Sequence, residues 1–316
     1  MLKIYNTDIK TGSFDLLKKI RKGCWIDVVN PTLEDIEFLT HSFHMDASFI
    51  GYILDDEELP RIDYDEDEDI RMIIVDVPIW EKRRKSANVA TMPLAILIIK
   101  DAYIVTVSLQ ICEILEDFKQ GKVKDFYTYK RTRFTIQMLY KTSTLYLRHL
   151  RVLSKEIEKA EGRMLQATSN DDLVNLLNIE KSFVYITTSL KSNEMVLERF
   201  LKGNFVTFYE EDDELLEDAI IENKQCIEMA DLYREILKST TDSYATIISN
   251  NLNSIMKFLA GVTIVLSIPT MVSSFIGMNV PLGPLASYEG SFFLLLLISI
   301  CLSLIVAFIL KKKNML

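Results

Sequence analysis

A long run without a charged side chain constrains this chain more than any other feature. No charged side chain occurs from Phe258 to Ile276, in a sequence of 316 residues. At about 1.5 Å per residue, a helix of this length covers about 30 Å, which is the thickness of the hydrocarbon layer of a bilayer. The run therefore predicts a membrane-spanning helix.

One face of this predicted helix is small and mostly polar, and we call this face the stripe. Its residues follow one another at alternating steps of four and three, which places them on a single helical face. Small residues let helices pack closely and hydroxyl groups bond across such an interface, so helix packing is one explanation. The other explanation is that several copies of the face enclose a water-filled path. The stripe consists of Ser249, Asn253, Met256, Ala260, Thr263, Ser267, Thr270 and Ser274.

The residues after the first span carry a resemblance to a known family. The span closes with a Gly-Met-Asn triplet (Gly277–Asn279), a second apolar run covers Ser291–Leu310, and three lysines follow at Lys311–Lys313. In this combination the sequence resembles the CorA family of magnesium and cobalt transport proteins. The resemblance extends into the N-terminal part, at Trp25–Leu39 and Leu59–Asp63.

The resemblance implies a homo-oligomer, a pentamer, that conducts Mg²⁺ through a pore in the cell membrane. Most of the implied pore positions already belong to the stripe, so spacing and resemblance together favour the pore lining over simple packing. The implied selectivity filter is Gly277, Met278 and Asn279, and the implied pore lining is Asn253, Met256, Leu259, Thr263, Ser267 and Thr270.

Two features of this lining suggest how it would work. Mg²⁺ gives up its water reluctantly, so a ring of Asn279 side-chain carbonyls would accept hydrogen bonds from the water shell of the ion. Met256 and Leu259 are apolar and would form a constriction that gates by excluding water.

The resemblance also implies a cytosolic Mg²⁺ sensor, formed in the family between acids of the N-terminal domain and the stalk helix of a neighbouring subunit. The stalk aspartate of the family falls on Asp218. The family's acidic pair falls on Gly51 and Tyr52, so Asp55 and Asp56 are the candidate replacements.

Acidic residues are also abundant outside these positions. The runs Asp55–Glu58 and Asp63–Asp69 are typical of solvated loops, and divalent-cation binding is the alternative. The formal net charge of −9 argues against a nucleic-acid partner and is compatible with the attraction of cations.

Resemblance and pattern together predict an α+β membrane protein with a long helical stalk and two C-terminal transmembrane helices. We expect a cytosolic α/β domain in residues 1–130, an antiparallel helical hairpin in 131–204 and a stalk helix in 205–254. We then expect a pore-lining first transmembrane helix in 255–276, an external loop with the triplet in 277–290, and a second transmembrane helix with a basic tail in 291–316.

Local patterns predict individual elements within this plan. Residues rich in β-branched side chains predict strands at Cys24–Val29, Arg71–Trp80 and Leu94–Ser108, the last turning at Lys100-Asp101. A start signal predicts a helix at Thr32–Phe43. Longer helices are predicted at Phe134–Ala167, Asp171–Leu201 and Asp213–Phe275, the last with an apolar seam at Leu216, Ile220, Asn223, Ile227 and Ala230.

The flanking charges predict a topology. Lysine next to a span marks the cytosolic side, and Lys257 precedes the first span whereas Lys311–Lys313 follow the second. Both termini are then cytosolic, and the lysines would form a basic cytosolic ring.

The sequence leaves two alternatives to Mg²⁺ transport. A Zn²⁺ transporter of the same family would use the same donor groups, and a membrane-anchored protein could sense or bind cations without transport. We predict neither an enzyme nor an organic cofactor, because the sequence contains no Gly-rich phosphate loop and no nucleophile with an evident base.

Overall fold

The computed structural model describes residues 1–81, 88–164, 170–202, 210–278 and 290–315. The chain divides into two compact units, Met1–Thr240 and Thr241–Leu316.

The first unit is built on one seven-stranded sheet. Its strands are β1 (Leu2–Thr7), β2 (Phe14–Leu17), β3 (Trp25–Val29), β4 (Arg61–Asp65), β5 (Ile70–Glu81), β6 (Asn88–Ile99) and β7 (Tyr103–Ser108). They lie in the order β2-β1-β3-β7-β6-β5-β4. Neighbouring strands are antiparallel except β3 and β7, which are parallel.

The described part of the chain contains seven helices. They are α1 (Leu33–Phe43), α2 (Ala47–Leu54), α3 (Glu113–Lys119), α4 (Arg131–Met164), α5 (Asn170–Lys202), α6 (Glu210–Ile276) and α7 (Ser291–Lys312). Helix α6 begins in the first unit and ends in the second.

The sheet has a hydrophobic core on each face, because successive side chains of a strand point to opposite sides. On β3, Trp25 belongs to one core, together with Phe134 of α4 and Phe200 of α5. Its neighbour Ile26 belongs to the other core, together with Leu39 of α1. The long helices therefore cover one face of the sheet, and the short helices α1 and α2 cover the other.

The predicted start of α1 is confirmed. The Thr32 hydroxyl accepts a hydrogen bond from the Asp35 backbone N–H (3.3 Å), and the Asp35 carboxylate accepts one from the Thr32 backbone N–H (3.1 Å). The predicted turn between β6 and β7 is also present, with Lys100 and Asp101 both at positive φ.

The prediction of a loop at Asp63–Asp69 is wrong in its first half. Residues 63–65 belong to β4, where Asp63 pairs with Met72 and Tyr64 with Arg71 of β5. This strand lies at the edge of the sheet, and charged side chains on an edge strand prevent pairing with other chains. The charges therefore do not exclude a strand here.

Helices α4 and α5 form an antiparallel pair. Arg163, near the end of α4, bonds to Asp172, near the start of α5, with 2.7 Å between Nε and Oδ1. Phe134, at the start of α4, shares a core cluster with Phe200, near the end of α5.

The first part of α6 packs against this pair along a seam that agrees with the predicted one at three of its five positions. Leu216, Asn223 and Ala230 are buried as predicted, but Ala219 and Cys226 are buried in place of Ile220 and Ile227, which are only half-buried. Asn223 donates a hydrogen bond to the Leu190 carbonyl of α5 (3.1 Å).

In the second unit, the last part of α6 and helix α7 are long and apolar enough to cross a membrane. One face of helix α7 is covered, with Ser299 buried and Leu295 and Ser303 half-buried, and its other faces are mostly exposed.

Candidate ion pathway and regulatory residues

The stripe lies on a face of α6 that the chain itself leaves uncovered. All eight stripe residues are exposed. At 100° per residue, the opposite face of the helix, half a turn away, is the one that is buried or half-buried. That opposite face contains Gly261, Val265, Ile268, Val272 and Ile276.

Three hydroxyl groups of the stripe donate their hydrogens to carbonyls within α6. Thr263 Oγ1 donates to the Leu259 carbonyl (2.8 Å), Ser267 Oγ to the Thr263 carbonyl (3.0 Å), and Thr270 Oγ1 to the Leu266 carbonyl (3.4 Å). A hydroxyl has one hydrogen to donate and two lone pairs that accept. The stripe therefore presents hydrogen-bond acceptors, which suit the water shell of a cation.

Pro269 lies inside α6, at the level of these hydroxyls. Because proline has no backbone N–H, the Val265 carbonyl loses its helical donor. Such a carbonyl is tolerated in a membrane where neighbouring helices or water satisfy it.

The structure places part of the predicted filter. Gly277 follows the end of α6, where its N–H donates to the Ser273 carbonyl (3.0 Å), and Met278 is exposed beside it. Asn279 lies outside the described residues. A groove extends along this end of the stripe and is lined by Ser267, Thr270, Met271, Ser274, Phe275 and Met278.

The other predicted pore residues are also on the exposed side of α6. Asn253 precedes the apolar run by about one helical turn, and Met256 and Leu259 are each 57% exposed in the single chain.

The predicted sensor acids do not form a metal site within one chain. Asp218 is exposed on α6, and Asp55 and Asp56 are exposed in the turn after α2, where Asp55 accepts a hydrogen bond from the Glu57 N–H (3.0 Å). Among the described residues, no group of three or more His, Cys, Asp or Glu side chains is arranged to hold a metal ion.

Several acids beside Asp55 and Asp56 are already paired. The Arg61 guanidinium bonds to Glu58 and to Asp63, and it lies 4.5 Å from the centre of the Tyr52 ring. Tyr52, at one position of the family's acidic pair, thus supports an arginine. Further along, Lys100 pairs with Glu68 at 3.0 Å. These pairs neutralise part of both acidic runs.

One polar contact at the start of α6 has no counterpart among the sequence predictions. Arg133 of α4 bonds to Asp212 with 3.3 Å between Nη1 and Oδ1, and the Asp212 side chain is almost fully buried. Burial raises the pKa of Asp212, and the neighbouring Arg133 opposes that rise. Of the acids at this helix start, Asp212 anchors α6 to α4, whereas Asp218 remains free in the chain to act elsewhere.

A family comparison decides the class of this protein. A model of the CorA-like Mg²⁺ transporter proteins matches residues 21–312. The chain belongs to the CorA family. The resemblance seen in the sequence is therefore confirmed, over nearly the whole chain.

One curated relative and two solved structures are similar to this chain. The cobalt/magnesium transport protein CorA of Methanocaldococcus jannaschii is 27% identical over 299 residues, which cover 92% of this chain and 90% of that protein. The complete structure of the CorA magnesium transporter from the same organism matches with a TM-score of 0.84 and 24% identity, covering 100% of this chain and 99% of that one. The cytoplasmic domain of ZntB from Vibrio parahaemolyticus matches with a TM-score of 0.61 and 11% identity, covering 78% of this chain and 98% of that one.

These findings confirm the predicted fold class, with an N-terminal sheet domain, a long helix and apolar C-terminal helices. CorA-family proteins transport divalent cations across membranes and are not enzymes, and Mg²⁺ is a transported ion of the family.

Proposed function

We propose that this CorA-family chain forms a homo-oligomeric channel, a pentamer, that conducts Mg²⁺ into the cytosol. The observation that carries the proposal is the stripe of α6, which is polar, uncharged and left uncovered by the chain. A polar face in a membrane-length helix needs a partner other than lipid. Copies of the stripe around a common axis would supply that partner as a water-filled pore.

The pore attracts cations without a carboxylate in its proposed lining. The hydroxyls of Thr263, Ser267 and Thr270 present acceptors because their hydrogens are bonded within the helix. A membrane potential of 100 mV contributes about 2.3 kcal/mol per elementary charge, so a dication gains about twice that amount on entry. Acceptors and potential together favour inward movement of a hydrated dication.

The remaining pore residues have separate roles. Asn279 accepts hydrogen bonds from the hydrated ion at the external mouth, and Gly277 and Met278 shape the filter. Met256 and Leu259 form the constriction, and Asn253 adds an amide ring near the cytosolic end. The segments 255–276 and 291–316 then span the cell membrane with both termini cytosolic, and Lys311, Lys312 and Lys313 form a basic ring at the cytosolic surface.

Regulation follows from the acids of the soluble part. Asp218 of one subunit and Asp55 or Asp56 of a neighbour would share cytosolic Mg²⁺ and hold the channel closed. The absence of a three-ligand group within one described chain fits a site shared between subunits. Asp218→Ala should then weaken the protection that millimolar Mg²⁺ gives against proteolysis; equal protection in the variant would contradict the sensor.

Uptake of Mg²⁺ into liposomes that contain the purified chain tests the pore. Asn279→Ala should lower the uptake strongly, whereas Phe258→Ala, exposed on the face away from the stripe, should leave it within about twofold. Unchanged uptake in the Asn279 variant would refute the filter.

The same liposomes separate the alternatives. A series over Mg²⁺, Co²⁺, Ni²⁺ and Zn²⁺ identifies the preferred ion, and a Zn²⁺ transporter would move Zn²⁺ at concentrations where Mg²⁺ uptake is absent. A membrane-anchored sensor would bind cations and show no uptake of any of them.

A further inference from the structure

Strands β5 and β6 extend beyond their neighbours in the sheet. Strand β4 pairs with β5 only as far as Ile74, and β7 pairs with β6 only as far as Leu94. Residues 76–81 of β5 and 88–93 of β6 pair with each other, and we call this two-stranded part the ribbon. A two-stranded hairpin is marginally stable by itself, so the ribbon depends on the helices that pack against it.

Polar contacts from α4 and α5 hold the ribbon at two places. The Asn193 side chain accepts a hydrogen bond from the Asp76 N–H (2.9 Å) and donates one to the Asp76 carbonyl (2.8 Å). The Tyr146 hydroxyl donates to the same carbonyl (3.2 Å), and the Val89 N–H donates to Ser182 Oγ (2.9 Å). Backbone, amide and hydroxyl groups make these contacts, and none of these groups titrates near neutral pH.

An aromatic contact holds the far end of the ribbon. The Trp80 indole, next to the last residue of β5, stacks on the His149 imidazole of α4, with 4.6 Å between ring centres and 28° between ring planes. The His149 residue is 1% exposed, whereas Trp80 is 42% exposed. The stack therefore joins the end of β5 to α4 through a group that can titrate.

The surroundings of His149 select its neutral form. Its Nδ1 lies 2.8 Å from the Leu145 carbonyl oxygen, which can only accept, so Nδ1 carries the hydrogen. Its Nε2 then carries a lone pair, and this atom is buried with no hydrogen-bond partner in the described part of the chain. A proton added at Nε2 would find no acceptor there.

The charges nearest to the ring give it little support for a proton. Burial lowers the pKa of His149, the hydrogen bond to the Leu145 carbonyl opposes this, Arg148 lowers the pKa further and Glu113 of α3 raises it. Glu113 is already paired with Arg148. The other acids of α3 are paired with lysines, Glu116 with Lys119 and Asp117 with Lys122.

The remaining elements around the stack add few charges. On β5, the Asp76 carboxylate accepts a hydrogen bond from Ser189, and Glu81 is exposed. Strand β6 has no charged side chain between Asn88 and Ile99, and α5 has none in residues 182–190. Arg151, further along α4, is exposed to solvent.

Two effects of protonation oppose each other at this contact. An imidazolium over the indole face gains a cation–π attraction. It also places a charge in a buried site where the new N–H has no acceptor, and a buried charge without a partner is among the most costly groups in a protein. The second effect is the larger one here, because the ring is almost fully buried.

We propose that the Trp80–His149 stack is a proton-sensitive contact, which holds the end of the ribbon on α4 while His149 is neutral and releases it when His149 takes up a proton. Both residues belong to the first unit, so this contact is independent of the proposed pore. Release is confined to the far end, because the contacts of Asp76 with Asn193 do not titrate in the same range.

The direction of the pH dependence follows from the buried ring. The folded state binds the proton less well than the unfolded state, whose histidine pKa is about 6.5. The contribution of the stack to stability is therefore complete above about pH 6.5 and is lost as pH falls from there towards the folded-state pKa.

Tryptophan fluorescence of the full-length protein in detergent micelles tests the proposal. The chain has two tryptophans, and because Trp25 is fully buried, a soluble quencher such as acrylamide reports mainly on Trp80. The quenching constant should rise at least twofold from pH 8 to pH 5.5, with a midpoint below about pH 6.5. Trp80→Phe should abolish this rise.

Histidine variants identify the group that titrates. His149→Phe keeps a flat ring against Trp80 and cannot take up a proton, so its quenching constant should be equal at the two pH values. His149→Gln, which also cannot titrate in this range, serves the same purpose if the first variant does not fold by circular dichroism. His41→Gln, at an exposed histidine of α1, is the matched control and should keep the full response.

Three results would overturn the proposal. The first is a quenching constant of the parent protein that is equal at pH 8 and pH 5.5. The second is a response that persists in a folded His149 variant. The third is a dimmer Trp80 emission at pH 5.5 without greater access for acrylamide, which would show that the imidazolium stays stacked and that the cation–π attraction prevails.

Discussion

The polar side chains in the two halves of helix α6 have different hydrogen-bond partners. In the first unit, Asp212 bonds to Arg133, Asn223 to the Leu190 carbonyl and Cys226 to the Ser143 carbonyl, so the polar side chains of α6 are satisfied by other elements of the same chain. In the second unit, the hydroxyls of Thr263, Ser267 and Thr270 bond to carbonyls of their own helix, and these residues are exposed.

The polar side chains in the first half of α6 therefore stabilise the fold of the single chain, whereas the stripe hydroxyls in the second half make no contact that links α6 to another described element. A buried polar group needs a bond within the protein, because leaving it unpaired costs about 1–3 kcal/mol. The hydroxyls of Thr263, Ser267 and Thr270 bond only within their own helix, and the proposed assembly would surround them with water. Changes in the first half of α6 should therefore alter stability, and changes in the second half should alter transport.

The largest expected effect is on transport. Thr270→Leu replaces a stripe hydroxyl by a bulky apolar side chain and should reduce Mg²⁺ uptake into liposomes by at least tenfold. Thermal unfolding of the soluble part, followed by circular dichroism, should remain within about 2 °C of the parent. If Thr270→Leu lowered the unfolding temperature as well as Mg²⁺ uptake, the proposed difference between the two halves of α6 would be contradicted.

The next effect is on stability. Arg133→Met leaves Asp212 buried without its cation and should lower the free energy of unfolding by about 2–3 kcal/mol, less than for a fully buried pair because the Arg133 side chain is partly exposed. The double variant Arg133→Met with Asp212→Leu should recover most of that loss in a denaturant titration. If the double variant did not recover this free energy, compensation of the buried Asp212 charge would not be the main contribution of the pair.

A smaller effect is expected at the seam. Asn223→Ala removes the donor to the Leu190 carbonyl and should destabilise the chain by about 1–2 kcal/mol. Gln225→Ala, on the exposed face of the same helix, is the matched control and should stay within about 0.5 kcal/mol. Equal losses at both positions would contradict the role of the buried amide.

The smallest effect depends on pH. Asp76 of β5 accepts a hydrogen bond from Ser189 Oγ (2.5 Å), and burial raises the pKa of this carboxyl. The folded state therefore favours the protonated form, and its stability falls as pH rises from the unfolded-state pKa through the folded one. Asp76→Asn removes this dependence and should stabilise the chain at pH 7 with no gain at pH 3. A gain that is independent of pH would exclude the carboxyl as its cause.

Sequence patterns predicted the long elements better than the short ones. The uncharged run, the stripe and the start signal at Thr32 are local features, and a helical period repeated over many residues identifies a face without knowledge of its neighbours. Strands β1, β2 and β4 and helices α2 and α3 were not predicted, because a few residues on the edge of a sheet or in a short helix carry too little pattern.

Contacts between residues far apart in the sequence could not be predicted from local patterns. Arg133 and Asp212 are 79 positions apart, and nothing in either neighbourhood indicates the other. At the seam of α6, hydropathy favours the larger Ile220, whereas the residue that is buried in the core is the smaller Ala219. Only the assembled core reveals that choice.

Uptake measurements on the unmodified chain test the central claim most directly. Liposomes that contain the purified protein and a trapped Mg²⁺ indicator are given an inside-negative potential and external Mg²⁺. A pore lined by outward-facing acceptors predicts rapid indicator response that grows with the potential, with no accompanying uptake of chloride. An indicator signal equal to that of protein-free liposomes, at every potential, would contradict the account.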